Sequence, residues 1–510
     1  MSKNYDVIII GSGIGGLCCG SLLSLHGLKV LICEAHSKPG GVAHSFNYNG
    51  YKFESGPSLW SGISEAKANN PLGQILKLLG QDIEVYKYKS WKVLFPDLEF
   101  DLEVGKSPFR ERIKEFRGLD SLSEWDEFTS SLKPLSQLIN KIPLLSSSPR
   151  DLNLIDSLNL ASKFLPNIKQ VLKLTKSFGF LVDEHLTDPF LRNWVDLLSF
   201  LISGLPMHDT NTAAMSTLFS EWFEPNAYLE YPKGGSETIV NALIRGFKNN
   251  GGELLLSSKV SEIKFSRDKI SGVKLERGLE FKAQNVVMNC DIWNAYKLLP
   301  HRIAEKFRCK NATPERCNSF LHIHLGFDAT DLKDLPIHTI WVDNWDRGIK
   351  AERNVAVFSI PSVLDPSMAP MGKHVLHGYT PANEPWEIWK DIPRNSEIYQ
   401  NLKEKRCSVF INSLRKVIPD IDNRIEVKML GTPLTHKRFT NTDKGSYGPA
   451  ISASRSLFPS CKTPIKNLFL CGASSFPGIG IPAVAASGAY ATEAIIGKKN
   501  YKHLIKPIYT

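Results

Sequence analysis

Residues 5–35 read YDVIIIGSGIGGLCCGSLLSLHGLKVLICEA, and the fold class turns on them. Asp6 to Ile10 is a short β-branched apolar run, the pattern of a strand buried in a parallel sheet. Gly11-Ser12-Gly13-Ile14-Gly15-Gly16 follows, then a helical stretch to Gly27, a second strand from Lys29 to Cys33, and Glu34. Gly11 permits the tight turn out of the strand. Gly13 lets backbone approach a pyrophosphate at the positive end of the new helix, and Gly16 lets that helix press on the sheet. Ser12 and Gly15 complete the loop. Glu34 closes the second strand where a carboxylate can accept from both ribose hydroxyls. The glycine spacing alone is a weak signal. Strand, glycines, helix, strand and acid in that order predict a dinucleotide-binding βαβ unit.

At 510 residues the chain exceeds one typical core, so two domains or one domain with large insertions are expected. Its 42% hydrophobic and 22% charged residues suit a folded globular protein. The 62 Lys+Arg against 52 Asp+Glu leave a net charge of +10, spread along the chain. No helix-turn-helix, zinc-finger or RNA-binding signature accompanies it, so no nucleic-acid partner is expected. A solvated basic surface and an anionic membrane surface are the two readings left. The nine cysteines are scattered, form no C-x-x-C pair and predict a reducing compartment, with no metal site. MSKNYDVIII enters its first strand within a few residues, so no signal or transit peptide is expected in it. No uncharged apolar run reaches the length of a spanning helix.

Lys38-Pro39-Gly40-Gly41 brings a second glycine turn soon after the ribose-binding acid, and the pattern points to FAD. NGYKFESGPSLWSG, 49–62, places Gly50 and Gly56 around a short strand and suits a loop passing near the flavin ring. Residues 5 to 60 resemble the phytoene desaturase and carotenoid isomerase group of FAD proteins, relatives of the amine oxidase fold. The resemblance implies an α/β architecture: a discontinuous Rossmann-type FAD-binding domain (1–105, 226–300 and 441–510) with an inserted α+β substrate domain (106–225 and 301–440).

The returning segments agree with it. From 231, YPKGGSETIVNALIRGFKNNGGELLLSSKVSEIKF reads as a Gly-Gly helix start, a helix with apolar Ile239, Leu243 and Phe247, a turn, and a strand ending near Val260. The resemblance implies that Val260 offers backbone atoms to adenine. It also matches Asn289, at the end of a buried strand from Asn285 to Cys290, to a cofactor position. NLFLCGASSFPGIGIPAVAASGAYATEAI, 467–495, supplies a strand, Gly472-Ala473, a glycine-rich turn and a helix from about Pro482. Proline suits a first helical turn, where its missing N–H has no partner to lose. Gly478 and Gly480 let backbone reach the ring, and Gly480, Ile481 and Pro482 set the helix end toward its N1–C2=O edge, where negative charge gathers on reduction.

The insertions carry the substrate reading. ASKFLPNIKQVLKLTKSFGF, 161–180, has no acidic residue. At helical period, Phe164, Leu165, Ile168, Val171, Leu172, Leu174 and Phe178 share one side, with Lys169, Lys173 and Lys176 at its edge. With Pro166 in its first turn the helix begins near Leu165. It either covers the substrate domain or lies in a membrane interface. SFLHIHLGFDA alternates as a strand with His322 and His324 on one face, pocket-lining or structural groups rather than metal ligands. DPSMAPMGKHVLH, GTPLTHKRF and KGSYGPA resemble segments of the prolycopene isomerases, carotenoid cis–trans isomerases. One departure stands against them. Those isomerases usually carry Gly-Asp where this chain has Gly472-Ala473, and bacterial phytoene desaturases commonly carry Gly-Ala.

No Ser-His-Asp order, carboxylate pair or metal cluster stands out, so the catalytic side chains remain unassigned and the chemistry falls to the cofactor. The expected activity is FAD-dependent isomerisation of a C40 carotenoid at a membrane surface, in the cytoplasm or a plastid-type compartment. A carotenoid desaturase or saturase is the same-cofactor alternative, and a flavin-bearing carotenoid carrier the non-catalytic one. An amine oxidase ranks lower, because no aromatic cage can be located. Oligomeric state is not legible.

Overall fold

The computed structural model describes residues 4–509 except 61, 65–69, 141–144, 146–160, 163, 311–312 and 454–457. The expected first unit is present. Asn4–Ile10 and Val30–Cys33 are parallel neighbours, joined by the helix Ile14–Leu25, in which eleven of twelve residues are buried. Residues 7–10 of the first strand and the whole of the second are apolar and buried because the sheet is covered on both faces.

This sheet is assembled from distant pieces. Glu253–Leu255 adds beside Val30–Cys33, Glu280–Met288 lies along the other edge of Asn4–Ile10, and Leu468–Leu470 extends it beyond residues 286–288, all in parallel. The strands Val260–Ser266 and Lys269–Leu275 form an antiparallel excursion from the same edge. The helix Ser236–Asn249 buries Ile239, Leu243 and Phe247, as the sequence predicts.

A second seven-stranded sheet has the order 425–431, 322–328, 373–379, 355–359, 338–342, 90–94, 99–103. The strands Ser90–Leu94 and Glu99–Glu103 precede the expected boundary at 105, yet they pair here, Ser90–Leu94 running parallel to His338–Val342. One face of this sheet carries Ile323, Leu325, Phe358 and Leu376 and packs under the helix Glu397–Leu414 in a separate apolar cluster. Its other face turns toward the glycine loops.

Helices dominate the described residues of 106–222, as expected. Lys106–Ile139 runs long but kinks at Gly118 (φ 86°), and Phe109, Trp125, Phe128, Trp194 and Phe219 join in one ring-to-ring core. The basic apolar helix differs from its expectation. It starts at Leu165 with one 3₁₀ turn, continues over Ile168–Leu174 and stops; a new helix begins at Phe178. The break is tertiary. Phe178 N donates to Thr210 O (2.8 Å) and Gly179 N to Met207 O (2.8 Å), which pulls Phe178 against Phe128 and Phe219 and out of the surface stripe. Leu165, Ile168 and Leu172 stay 71%, 50% and 58% exposed. Among the described residues no helix is long and apolar enough to cross a membrane. Cys18, Cys19, Cys33, Cys290, Cys317, Cys407 and Cys471 carry free thiols.

Gly488, in the long helix Ile481–Ile496, crosses the first helix at contact: a Cβ there would lie 2.4 Å from Gly15 O and 2.9 Å from Cys19 N. Gly488→Ala should therefore destabilise by about 1–3 kcal/mol through overpacking against backbone. A thermal midpoint equal to that of the unaltered protein would contradict this crossing.

Candidate cofactor and substrate site

The first glycine loop is built around Asn289. Its backbone N–H donates to Ile10 O (2.9 Å) and its Nδ2 to Gly11 O (3.2 Å), while its Oδ1 accepts from the Cys471 thiol (3.5 Å). Gly11 stands at φ +98°, where a Cβ would come 2.8 Å from Asn289 O. A Cβ on Gly16 would lie 2.4 Å from Gly11 O, and one on Gly15 would lie 3.0 Å from Gly472 Cα. The two loops from opposite ends of the chain therefore meet backbone to backbone, with the Asn289 side chain lodged at the junction. Gly472 N donates to Ser487 Oγ (2.7 Å), tying the second loop to its helix.

Glu34 lies beside this junction. Its Oε2 accepts from Ser12 N (2.7 Å) and Ser12 Oγ (2.6 Å), its Oε1 from His36 N (2.8 Å). Gly40 N donates to Ser12 O (3.0 Å), and a Cβ on Gly41 would meet Gly13 Cα at 3.2 Å. Val260 needs a correction. It does not end a strand: the preceding strand stops at Leu255, and Val260 opens the next, buried opposite Leu275. The intervening turn holds Ser257 at φ +48° and sends Ser258 N to Glu34 O (2.7 Å) and Ser257 N to His36 O (3.0 Å). Those contacts bring the loop before Val260 alongside Glu34.

These residues fit FAD. The helix Ile14–Leu25 starts at Gly13 and the helix Ile481–Ile496 at Gly480, both without a side-chain cap. Orphan N–H groups at such ends suit a pyrophosphate and the electron-rich edge of a flavin. Beyond Gly480 (φ +106°) a Cβ would meet nothing within 4 Å; Pro482 and Ile481 form the first turn there, and Ala473 lies half-buried after Gly472. When bound, FAD supplies the redox chemistry, and the loops supply its position and charge complement.

The second sheet presents a polar row to this region. The pairs His322 with Tyr379 and His324 with His377 lie on one face, and Ser359, opposite His377, accepts or donates at His338 Nδ1 (2.8 Å). His324 Nε2 bonds Glu54 O (2.8 Å), so it carries the hydrogen, and its ring meets Phe46 and Phe53 edge-on. His322 Nδ1 bonds His436 Nε2 (2.8 Å). His377 stacks on His324 at 4.8 Å. Burial holds His324 down at about 4, His338 and His436 at about 3, and His322 and His377 well below the usual range; all five are neutral imidazoles.

Glu54 adds a buried carboxyl. Its Oε1 accepts from Tyr231 OH (2.9 Å), Ser236 N (2.9 Å) and Ser45 Oγ (3.3 Å), and burial raises its pKa against those donors. The sequence reading placed His322 and His324 on one face but missed His377, His436 and Glu54. The alternation in HVLHGY puts His377 on the face opposite His374, but only strand register puts it beside His324. Among the described residues no group of three or more His, Cys, Asp or Glu is arranged to hold a metal ion.

The family model for flavin-containing amine oxidoreductases matches residues 14–496. The chain belongs to that family. Its cofactor is accordingly FAD. Prolycopene isomerase 2, chloroplastic, from an Oncidium hybrid cultivar is 32% identical over 96% of this chain and 83% of its own length. The chloroplastic prolycopene isomerase of Arabidopsis thaliana is 29% identical over 95% and 81%. The lycopene-forming phytoene desaturase of Pantoea ananas is 26% identical over 94% and 96%. Putrescine oxidase shares the fold at a TM-score of 0.63 and 13% identity, covering 97% of this chain and 100% of that one. An oxidoreductase from Methanosarcina mazei does so at 0.61 and 18%, covering 96% and 100%.

The neutral histidines give a pH test. Unfolded, each titrates near 6.5; folded, each binds its proton only at much lower pH. Their stabilisation is therefore full above about pH 6.5 and is lost as pH falls toward the folded values. Buried acids such as Glu54 act in the opposite direction, so a difference isolates the effect. Between pH 5.5 and 4.5 the unfolding free energy of the unaltered protein should fall more steeply than that of His338→Gln, by about 1.4 kcal/mol per pH unit. Parallel slopes in denaturant titrations would contradict a neutral, buried His338.

Proposed function

We propose that this chain is an FAD-dependent cis–trans isomerase of a C40 carotenoid, of the type that converts prolycopene to all-trans-lycopene, working at a membrane surface. The observation that carries the reading is the graded similarity: prolycopene isomerases at 29–32% identity over 95–96% of the chain, against 26% for the phytoene desaturase. The motifs at 365–377, 431–439 and 444–450, which resemble prolycopene isomerase segments, include His377 and His436 of the polar row.

The site's polarity suits a redox-neutral reaction on a hydrocarbon. The buried histidines on the sheet face are uncharged, so a greasy chain can lie on them without stripping water from an ion. Glu54, whose backbone O bonds His324, spends its Oε1 on three protein donors and keeps its Oε2 buried without a hydrogen-bond partner. A second reading keeps one specific support: Gly472-Ala473, the pair found in bacterial desaturases, lies at the loop junction. That reading is a desaturase or saturase on the same cofactor. A carrier that binds pigment without converting it is the third.

Incubating the purified protein, its flavin reduced by light under anaerobic conditions, with poly-cis lycopene in liposomes in the dark separates the three. The isomerase gives all-trans product with no added electron acceptor. Turnover that begins only on adding a quinone reverses the assignment to desaturase, and bound pigment with an unchanged isomer ratio reverses it to carrier.

The membrane reading rests on Leu165, Ile168 and Leu172, exposed on a short helix with Lys169, Lys173 and Lys176. Part of that basic edge is spoken for: Lys173 pairs with Glu184 (2.9 Å) and Lys176 lies over Phe180. Insertion must therefore draw mainly on the apolar residues, each worth about 1.5–3 kcal/mol when buried. Leu165→Glu with Leu172→Glu should cut flotation with anionic vesicles at least about tenfold. Undiminished flotation would remove this helix from the contact.

A further inference from the structure

We infer that His44 is a positioning residue for FAD: its ring fixes the peptide between Gly41 and Val42 in the second glycine turn, and so presents the Val42 N–H to the cofactor. The inference concerns FAD itself and stands apart from the choice between isomerase, desaturase and carrier.

The turn needs a fastening. Gly40 and Gly41 both stand at positive φ, +107° and +63°. Adjacent glycines leave the backbone free to take several conformations, so contacts must select one. One end is tied to the first glycine loop. Gly40 N donates to Ser12 O (3.0 Å), Gly13 and Gly40 pair as an isolated parallel bridge, and a Cβ on Gly41 would lie 3.2 Å from Gly13 Cα. The other end is tied by a side chain. His44 Nδ1 lies 2.6 Å from Gly41 O and its Nε2 2.9 Å from Ser55 Oγ, while Ser55 N donates to His44 O (3.0 Å). Gly56, the next residue, also packs on the turn: a Cβ there would lie 2.6 Å from Val42 O.

The partners select one tautomer. A carbonyl oxygen only accepts, so Nδ1 of His44 carries the hydrogen. Burial holds the His44 pKa below its usual value; the charges of His36 and Lys38 act with it, and Gly41 O and Glu34 act against it. The ring is therefore neutral, its Nε2 is an acceptor, and the Ser55 hydroxyl donates to it. His36, whose ring lies 5.6 Å away, is the reverse. Its Nδ1 accepts from Lys38 N (2.9 Å), so its ring hydrogen sits on Nε2.

A trans peptide points its carbonyl and the following N–H in opposite directions. With Gly41 O turned onto His44, the Val42 N–H points away from His44. Val42 is 48% exposed, and its N–H has no protein acceptor among the described residues. It follows directly on the Gly41–Gly13 contact, beside the uncapped start of the first helix. Backbone N–H groups gathered in such a place suit an anionic cofactor. Were the peptide to flip, a carbonyl oxygen would take the place of that donor. The hydrogen bond from His44 holds it the favourable way round.

The test titrates the full chain, freed of flavin, with FAD and reads the quenching of flavin fluorescence. His44→Leu should raise the Kd about tenfold. His44→Asn, whose amide offers a donor where Nδ1 stands, should stay within about threefold of the parent. Independently of binding, ¹⁵N-histidine spectra of the unaltered protein should show His44 protonated at Nδ1 and His36 at Nε2, each signal assigned by its loss in His44→Asn and His36→Asn. A folded His44→Leu protein that binds FAD as tightly as its parent overturns the inference, and so does a His44→Asn protein as weak as His44→Leu. If His44→Leu does not fold, the other two readouts decide. A hydrogen on Nε2 of His44 overturns the inference by itself; one on Nδ1, with parental affinity in His44→Asn, upholds it.

Discussion

The site depends on one close contact, the approach of the first helix to the last. Gly15 faces Gly472 and Gly488 with backbone against backbone, and any side chain at these positions would push the two ends of the chain apart. Asn289 spans the seam, donating to Gly11 O and accepting from the Cys471 thiol. A parallel strand pairing on either side of Glu280–Met288 holds all three segments in register. A cofactor that needs a pyrophosphate cradle at one end and a ring cradle at the other can be gripped only when this seam is closed. The glycines thus serve the site by what they leave out.

The second sheet answers a different constraint. Its outer face is apolar and covered, whereas its inner face holds imidazoles, a serine and tyrosine hydroxyls that are buried but uncharged. Charged groups in that place would need partners or water. Neutral histidines instead offer hydrogen bonds there without a charge to solvate, and leave His377 Nδ1 buried without a partner. The arrangement couples fold stability to pH through the imidazoles that line this face.

Features encoded by local spacing were legible in the sequence. Gly11 to Gly16, Glu34 and the proline at the start of the last helix each announce themselves within one turn of chain. Long-range requirements were not. The helix after Leu165 stops because Phe178 is drawn into a core of Phe128 and Phe219, a preference no period can reveal. Val260 was displaced from strand end to strand start by a turn that exists to hold Glu34. The strands at 90–103 join the second sheet through a parallel partner far along the chain. His322 and His436 meet only because a glycine at 431 clears the floor between neighbouring strands.

The central claim is that closure of the glycine seam makes the flavin site, and FAD titration of Gly488→Val tests it most directly. The unaltered protein should bind about one FAD per chain with the visible absorption of a flavoprotein. The variant should lose most of that affinity while circular dichroism still reports a folded chain. A folded Gly488→Val protein that binds FAD as tightly as its parent would contradict the account.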